Sequence, residues 1–187
     1  MQLEHILDQI YPLSDAAKAK LIHEIVEVHY PKGHILMHST KFVKAIYLIK
    51  IGIVRAYSDH DGSEITFWFG KEGEAVISMK NYVEQKKSYE NIELLEDCVL
   101  YELDNQRLNL LYHSDIEIAN WGRRFAEKEL VKTEERLISR HLGTAINRYS
   151  ELLKHDHQLI QRVALGHIAS YLGITQVSLS RIRAELR

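Results

Sequence analysis

The chain has 187 residues, enough for one large domain or two small ones that each bury a hydrophobic core. Its hydrophobic fraction of 45%, charged fraction of 27% and formal net charge of −2 are ordinary, and they do not by themselves indicate a nucleic-acid partner. Cys98 is the only cysteine, which excludes an intrachain disulfide and a cysteine-ligated cluster within one chain. The N-terminus lacks the pattern of a signal peptide, and no apolar run is long enough to span a membrane. We therefore expect a cytoplasmic protein with no membrane partner.

The charge is divided unevenly along the chain. Residues 1–119 contain 12 Lys and Arg against 19 Asp and Glu, whereas residues 120–187 contain 12 against 7. The C-terminal part is therefore positive although the whole chain is slightly negative. This asymmetry predicts that any anion-binding surface lies at the C-terminal end.

The first elements are two short helices followed by a series of strands. Apolar spacing predicts a helix up to Ile10 that Pro12 ends, and Ser14 caps a second helix from Asp15 to about Ile25. Short runs rich in Val, Ile, Tyr and Phe then alternate with glycine-containing turns. They predict strands at about 26–30, 34–38, 44–50, 53–58, 64–69, 74–77, 89–95 and 98–102. Strands at this spacing indicate a sandwich or barrel.

A short helix near 105–112 precedes a long one, from about Asp115 to Glu135. Along the long helix, small and apolar positions recur at alternating steps of four and three. These positions form the predicted dimer interface: Ala119, Arg123, Ala126, Leu130, Thr133 and Leu137. An adjacent apolar track, including Trp121, is expected to pack on the strands. A single wide core-facing stripe without dimerisation is the alternative. Another helix, about 137–153, and a polar break at 154–157 follow.

The last stretch, 168–186, has the pattern of a DNA-binding helix-turn-helix. A short apolar helix stops at Gly173, and Thr175 is a good N-cap for a second helix. Val177, Leu179, Ile182 and Leu186 can supply the packing of that helix, while Gln176, Ser178, Ser180, Arg181 and Arg183 remain polar. Arginine and glutamine can make bidentate contacts with guanine and adenine. An ordinary corner between two packed helices is the alternative.

Taken together, these elements resemble the Crp/Fnr family of bacterial transcription regulators. The resemblance rests on the following motifs: Pro31-Lys32-Gly33, Tyr47-Leu48-Ile49 before Gly52, Gly73-Glu74, and Gly173, Thr175, Ser178, Ser180-Arg181-Ile182 and Leu186 in the helix-turn-helix. It implies an α+β fold with a cyclic-nucleotide-binding-like double-stranded β-roll (jelly roll) and short N-terminal helices in 1–113. A dimerisation helix in 114–136 and a helix-turn-helix DNA-binding domain in 137–187 complete the expected chain.

The resemblance also implies a homodimer that reads a palindrome in double-stranded DNA, with RNA polymerase as a further partner. Thr175 and Ser178 fall where family members contact phosphate, and Gln176 and Arg181 fall where they contact bases. Arg162 and Arg183 are the additional basic residues expected at this interface. Val177 departs from the acidic residue of many relatives. Relatives commonly continue into a β-hairpin; either this branch lacks the hairpin or the sequence ends early.

The effector pocket departs further from the family. Members that bind cyclic AMP use a Gly-Glu segment and, later, an Arg-Ser pair, where this sequence has Ile77-Ser78 and Lys87-Ser88. Without glycine or an arginine fork, tight binding of cyclic AMP is not expected. The candidate residues for another effector are Ser78, Lys80, Lys87, Ser88, Tyr89, Lys128 and Glu129. The lysines can equally belong to a solvated loop, and an effector is not required.

Catalytic and metal-binding motifs are not apparent in the sequence. His155 and His157 lack a third ligand at a suitable spacing, and no phosphate loop or nucleophile motif is present. We therefore expect no metal, no cofactor and no enzymatic activity. Two functions remain open: a sequence-specific transcription regulator, and a β-roll sensor or protein-interaction module that does not itself bind DNA.

Overall fold

The fold is given by a computed structural model, which describes residues 1–186. The strands are β1 (Ile25–Tyr30), β2 (Ile35–Met37), β3 (Ala45–Ile51), β4 (Val54–His60), β5 (Ser63–Gly70), β6 (Ala75–Val76), β7 (Asn91–Leu94) and β8 (Cys98–Asp104). The helices are α1 (Leu3–Ile10), α2 (Asp15–His23), α3 (Met79–Glu84), α4 (Asn105–Ser114), α5 (Ile116–Leu142), α6 (Ala145–His155), α7 (His157–Arg162), α8 (Leu165–Leu172) and α9 (Gln176–Glu185).

The strands form two four-stranded sheets, ordered β1-β8-β3-β6 and β2-β7-β4-β5, in which every neighbouring pair is antiparallel. Strand β3 shows why the roll needs cover on two sides. Its alternate residues point to opposite faces, so Tyr47 and Ile49 pack between the sheets while Ile46 and Leu48 pack under the N-terminal helices. All four are buried, and the sheet is therefore enclosed by the second sheet and by helices.

Trp121 fastens the first half of α5 to the N-terminal helices. Its side chain is fully buried in the cluster that includes α1, α2 and α4. The indole Nε1–H donates a hydrogen bond to the Leu7 carbonyl oxygen at 3.0 Å. A buried Trp needs such a partner for its one polar group, so the bond fixes the rotation of α5 on the roll. The predicted packing of this helix face on the β-domain is confirmed.

The predicted architecture is confirmed, whereas several helix boundaries were wrong. Helix α5 does not end near 135 but continues to Leu142, where Gly143 and the N-cap Thr144 separate it from α6. Thr144 Oγ1 accepts a hydrogen bond from the Asn147 amide at 3.2 Å, which starts α6 later than expected. Residues 157–162, expected partly as a break, form α7, and α3 was not predicted. The proposed division of the chain at 136 remains a prediction.

Candidate nucleic-acid interface and adjoining groove

The turn between α8 and α9 has the geometry expected of a helix-turn-helix. Gly173 ends α8 in the left-handed conformation, with φ of 68°. The amides of Gly173 and Ile174 donate to the carbonyls of Ser170 and Ala169, each at 3.0 Å. The Thr175 hydroxyl then accepts a hydrogen bond from the amide of residue 178 at 3.1 Å and begins α9. These bonds satisfy backbone groups that both helix ends would otherwise leave unpaired.

Helix α9 packs with one side and exposes the other. Leu179 and Ile182 are buried against residues of α8, including Ile168. The exposed side carries Gln176, Val177, Ser180, Arg181 and Ala184. Val177 is 62% exposed and Leu186 is 47% exposed, so the prediction that these two residues pack the helix was wrong. The exposed side combines a long amide, a guanidinium, a hydroxyl and a small apolar side chain, a set that can contact base edges.

The predicted DNA-binding residues fall into two groups in space. Thr175, Gln176, Ser178, Arg181 and Arg183 lie together at the start and along the length of α9. Thr175, Gln176 and Arg181 are exposed, whereas Ser178 and Arg183 are half-buried. The hydroxyls of Thr175 and Ser178 are 3.0 Å apart at the N-terminus of the helix. That end carries the positive pole of the helix dipole and suits a phosphate.

Arg162 is separate from this group, and its assignment to the DNA interface is corrected. Its Nε and Nη2 atoms donate to the two Glu96 oxygens at 2.9 and 2.6 Å, and its Nη atoms also bond Glu72 at 2.8 and 3.1 Å. Burial acts to raise the pKa of Glu72, but hydrogen bonds from Arg162 and the Gly52 amide outweigh it and hold the pKa at about 2. These bonds commit four of the five N–H groups of the guanidinium, and both carboxylates neutralise its charge, so little is left for a phosphate. Arg162 therefore joins α7 to the roll.

Two other arginines near the turn were not singled out from the sequence. Arg148 on α6 donates to the Gly143 carbonyl at 2.5 Å and to the Leu172 carbonyl at 2.8 and 3.2 Å, so it ties the ends of α5 and α8 together. Arg140 on α5 is exposed, and a Cβ placed on Gly173 would lie 3.9 Å from its Nη2. Only the folded chain brings Arg140 beside the turn, because 33 positions of sequence separate it from Gly173.

A groove of 1180 Å³ lies between the roll, α5 and the C-terminal helices. Its roll wall is largely aromatic and aliphatic: Ala56, Phe67, Trp68, Phe69, Ile77, Met79, Tyr89 and Ile92. The Phe67 and Tyr89 rings are tilted against each other with centroids 6.1 Å apart. On the opposite wall, Leu130 and Leu137 of α5 contribute further apolar surface. The groove can therefore hold a ligand with a sizeable apolar body.

Of the predicted effector residues, only Tyr89 and Glu129 line this groove. The others do not line it, and their assignment to an effector site stays a prediction: Ser78, Lys80, Lys87, Ser88 and Lys128. Helix α3 is the reason for the first four. Ser78 is buried at its start, Ser88 is half-buried beyond its end, and Lys80 and Lys87 face solvent. Lys128 instead donates to the Gln9 carbonyl at 2.6 Å beside a separate cavity of 260 Å³.

Glu90 is a groove residue that the sequence did not single out. It lines the groove but is only 6% exposed, and its Oε2 has no hydrogen-bond partner within the described part of the chain. The other charged residues of the roll wall are paired: Lys71 with Asp156, and Glu74 with Lys132. An acidic group at the apolar end of the groove disfavours an anionic ligand there.

The predicted dimer face is exposed mainly in the second half of α5. Leu130 is 69% exposed, and Ala126, Thr133 and Leu137 are also exposed. In the first half, Ala119 is half-buried, and Arg123 Nη1 donates to Glu127 of its own helix at 2.5 Å. Three further apolar side chains of the second half are exposed and were not predicted as interface: Val131, Ile138 and Leu142.

The remaining sequence candidates form no further site. Burial raises the pKa of the Cys98 thiol to about 11, so Cys98 is a core residue and not a reactive one. Within residues 1–186, no group of three or more His, Cys, Asp or Glu side chains is placed to hold a metal ion. Over the same residues, no helix combines the length and apolar character needed to cross a membrane.

This architecture is similar to that of known proteins. Residues 27–115 match the cyclic nucleotide-binding domain. FixK2 from Bradyrhizobium japonicum has a similar structure, with a TM-score of 0.74 and 22% identity, over 87% of this chain and 84% of FixK2. The c-di-GMP-responsive global regulator CLP from Xanthomonas campestris gives a TM-score of 0.72 with 16% identity, over 91% of this chain and 90% of CLP.

A third structure is described as a transcriptional regulator of the Crp/Fnr family from Eubacterium rectale. Its TM-score is 0.73 with 16% identity, over 93% of this chain and 85% of that protein. No curated protein is significantly similar in sequence. The resemblance in sequence motifs is thus confirmed by the fold, since the similarity extends over the roll, the long helix and the C-terminal helices. Residues 27–115 thus match a cyclic nucleotide-binding domain, and the chain as a whole shares the fold of these transcription regulators.

Proposed function

We propose that this protein is a sequence-specific DNA-binding transcription regulator of the Crp/Fnr type that acts as a homodimer in the bacterial cytoplasm. The observation that carries the proposal is the exposed side of α9. Gln176 and Arg181 lie on this side, in a helix whose N-terminus is capped by Thr175. Such a helix can enter the major groove with its N-terminal residues against the bases. Thr175 and Ser178 contact the phosphates beside it.

The second half of α5 supports the dimer. Leu130 and Leu137 repeat at heptad spacing and are exposed, as a coiled-coil seam is before it meets its partner. Burying them against a second copy removes apolar surface from water and sets two α9 helices on one side of the dimer. The predicted target is a palindrome whose half-sites lie about one turn of DNA apart. RNA polymerase is the expected partner on DNA.

The groove between the roll and α5 is the proposed effector site. Its aromatic wall suits a ligand with an apolar body, and Glu90 together with the outward-facing Lys87 argues against a phosphate-bearing one. Tight binding of cyclic AMP is therefore not expected, in agreement with the missing arginine fork. Because the groove also reaches Tyr171 and Leu172 of α8, a ligand there would contact the DNA-binding part directly.

One observation favours the second candidate function, a sensor or interaction module that does not bind DNA. Two C-terminal arginines, Arg148 and Arg162, are used inside the molecule, which leaves fewer cations for phosphate contacts than the sequence indicates. The charge asymmetry of the chain therefore overstates the basic surface at α9. A direct assay must decide between the two candidates.

Selection of binding sites from random duplex DNA at moderate salt is the experiment that tests the proposal. The wild-type protein is expected to enrich a palindrome without added ligand or after addition of bacterial extract. An Arg181→Ala variant run in parallel should lose preference at one base pair of each half-site. If neither condition enriches any sequence, the DNA-binding proposal fails and the interaction module takes its place.

A further inference from the structure

Helix α8 is docked on the free edge of strand β5. This strand is the last in its sheet, so the backbone groups on its outer side have no neighbouring strand. The Ser170 hydroxyl takes that place: it accepts a hydrogen bond from the Thr66 amide and donates one to the Glu64 carbonyl, both at 2.9 Å. The Phe69 and Tyr171 rings pack beside it with centroids 5.2 Å apart.

The same interface contains a contact between Arg55 of β4 and His167 of α8. Arg55 Nη1 lies 2.6 Å from His167 Nδ1. A guanidinium has only donors, so the imidazole nitrogen that faces it must accept and cannot carry a proton. Docking therefore requires the neutral imidazole, with its proton on Nε2.

The Arg55 side chain is held in place by its surroundings. The residue is 2% exposed, and its Nη2 donates to Glu64 of β5 at 2.6 Å and to Glu93 of β7 at 2.7 Å. Its guanidinium also lies over the Tyr57 ring, 4.2 Å from the centroid. Protonating His167 would set a second cation against this one in a largely buried place. Burial, and then the Arg55 charge, lower the pKa of His167 below the ordinary histidine value of 6.5, although Glu93 and Glu64 oppose this.

The other polar contacts across this interface do not respond to pH near neutrality. Arg162 is held by Glu72 and Glu96, and Lys71 is paired with Asp156. Carboxyl groups ordinarily titrate near pH 4 and Lys and Arg above about pH 10, whereas histidine changes charge between about pH 5 and 8. Among the contacts described, His167 is the group that changes state in this range.

We propose that the Arg55–His167 contact is a pH-sensitive latch that holds the C-terminal helices on the edge of β5 at neutral pH and releases them when His167 takes up a proton. Docking is favoured at a pH above 6.5, the ordinary pKa of histidine. Below that value the released form binds protons more readily, so the docking equilibrium falls by up to about tenfold per pH unit until the docked form also titrates. The consequence for DNA binding rests on the proposed function. Release removes the fixed spacing between the two α9 helices of the dimer.

Hydrogen exchange of the Thr66 amide measures the latch without DNA, because that amide is protected by Ser170 of the docked helix. In the full-length protein, its protection, corrected for the intrinsic pH dependence of exchange, should fall as the pH is lowered from about 7.5 to about 5.5. His167→Gln keeps a neutral acceptor and should remove the pH dependence. His167→Lys should leave the amide unprotected at every pH.

Two controls separate release from unfolding and from general acid effects. The Leu94 amide, which donates to the His34 carbonyl at 3.0 Å and belongs to a residue buried between the two sheets, should stay protected in all variants. His157→Gln, on an exposed histidine, should behave like the wild type. Unchanged Thr66 protection down to about pH 5.5, or equal pH dependence in wild type and His167→Gln, overturns the proposal.

A DNA arm distinguishes the latch from the proposed function. Lower pH should weaken wild-type binding to the selected palindrome more than binding to a single half-site, and His167→Gln should abolish that difference. An exchange result as expected with no DNA binding at any pH refutes the regulator and leaves the latch established.

Discussion

The C-terminal part of the chain, from α5 to α9, has one set of residues packed on the roll, the inner residues, and another set that is exposed, the outer residues. The two sets use similar residues for different purposes. Among the inner residues, Trp121 is buried and Arg162 is bound by two carboxylates, whereas the outer residues Leu130, which lines the open groove, and Arg181 are exposed without contacts of this kind. We therefore expect the inner residues to contribute to folding and the outer residues to association, and each prediction below tests that division.

The largest effect is expected among the inner residues. Trp121→Ala removes a fully buried ring and leaves the Leu7 carbonyl without its donor. We expect the free energy of unfolding to fall by about 3–5 kcal/mol, measured by denaturant titration at equal protein concentration. Leu130→Ala is the matched outer substitution on the same helix and should cost much less in the monomer. Equal losses would contradict the division.

The next effect concerns assembly. Leu130→Glu places a charge in the predicted seam, and we expect the dissociation constant of the dimer to rise by at least about a hundredfold. Light scattering over a concentration series should show a monomer where the wild type is a dimer. Leu110→Glu, on an exposed leucine of α4, should leave the mass unchanged. A dimeric Leu130→Glu protein would mean that the outer residues of α5 are not the interface.

A smaller effect is expected for the two arginines on DNA. Arg181→Ala should weaken binding to the selected site by about 1–3 kcal/mol and hardly alter binding to random DNA. Arg162→Ala should leave the salt dependence of binding unchanged, because its guanidinium is already committed to Glu72 and Glu96. Fluorescence anisotropy with both duplexes measures these differences. A reduced salt slope for Arg162→Ala would return that residue to the DNA interface.

The smallest effect is an acid-dependent change in stability. The pKa of Glu72 is lowered to about 2 from an ordinary value of 4.5, so its pairing with Arg162 stabilises the fold fully above pH 4.5. That contribution is lost as the pH falls from 4.5 towards about 2. Melting temperatures of wild type and Arg162→Ala should therefore converge over this range. Parallel curves would show that the pair adds nothing, as is common for partly exposed ion pairs.

Much of the fold could be predicted because its signals are local. Glycine turns and alternating apolar residues mark the strands, and Gly173 and Thr175 mark the turn between α8 and α9. The C-terminal end of α5 was harder to predict, since helix-forming residues continue past Glu135 up to Gly143. Helix α3 is short and lacks a side-chain cap, which leaves little for a pattern to reveal.

The candidate sites were predicted less well because they depend on contacts between distant parts of the chain. Arg162 was grouped with Arg181 by charge, but its partners are Glu72 and Glu96, 90 and 66 residues away. The groove residue Glu90 and the interface residue His167 carry no local motif. Only their burial and partners in the folded chain identify them.

The docking of Ser170 on β5 also bears on the tendency of the roll to aggregate. An exposed edge strand is a template on which another chain can add its own strand and start aggregation. Helix α8 covers that edge, so it shields the roll in addition to any contact that the C-terminal helices make with DNA. A fragment that stops after α5 would expose the Thr66 amide and the Glu64 carbonyl. If such a fragment were insoluble, the cause would be the uncovered edge of β5, because the roll itself would still be folded.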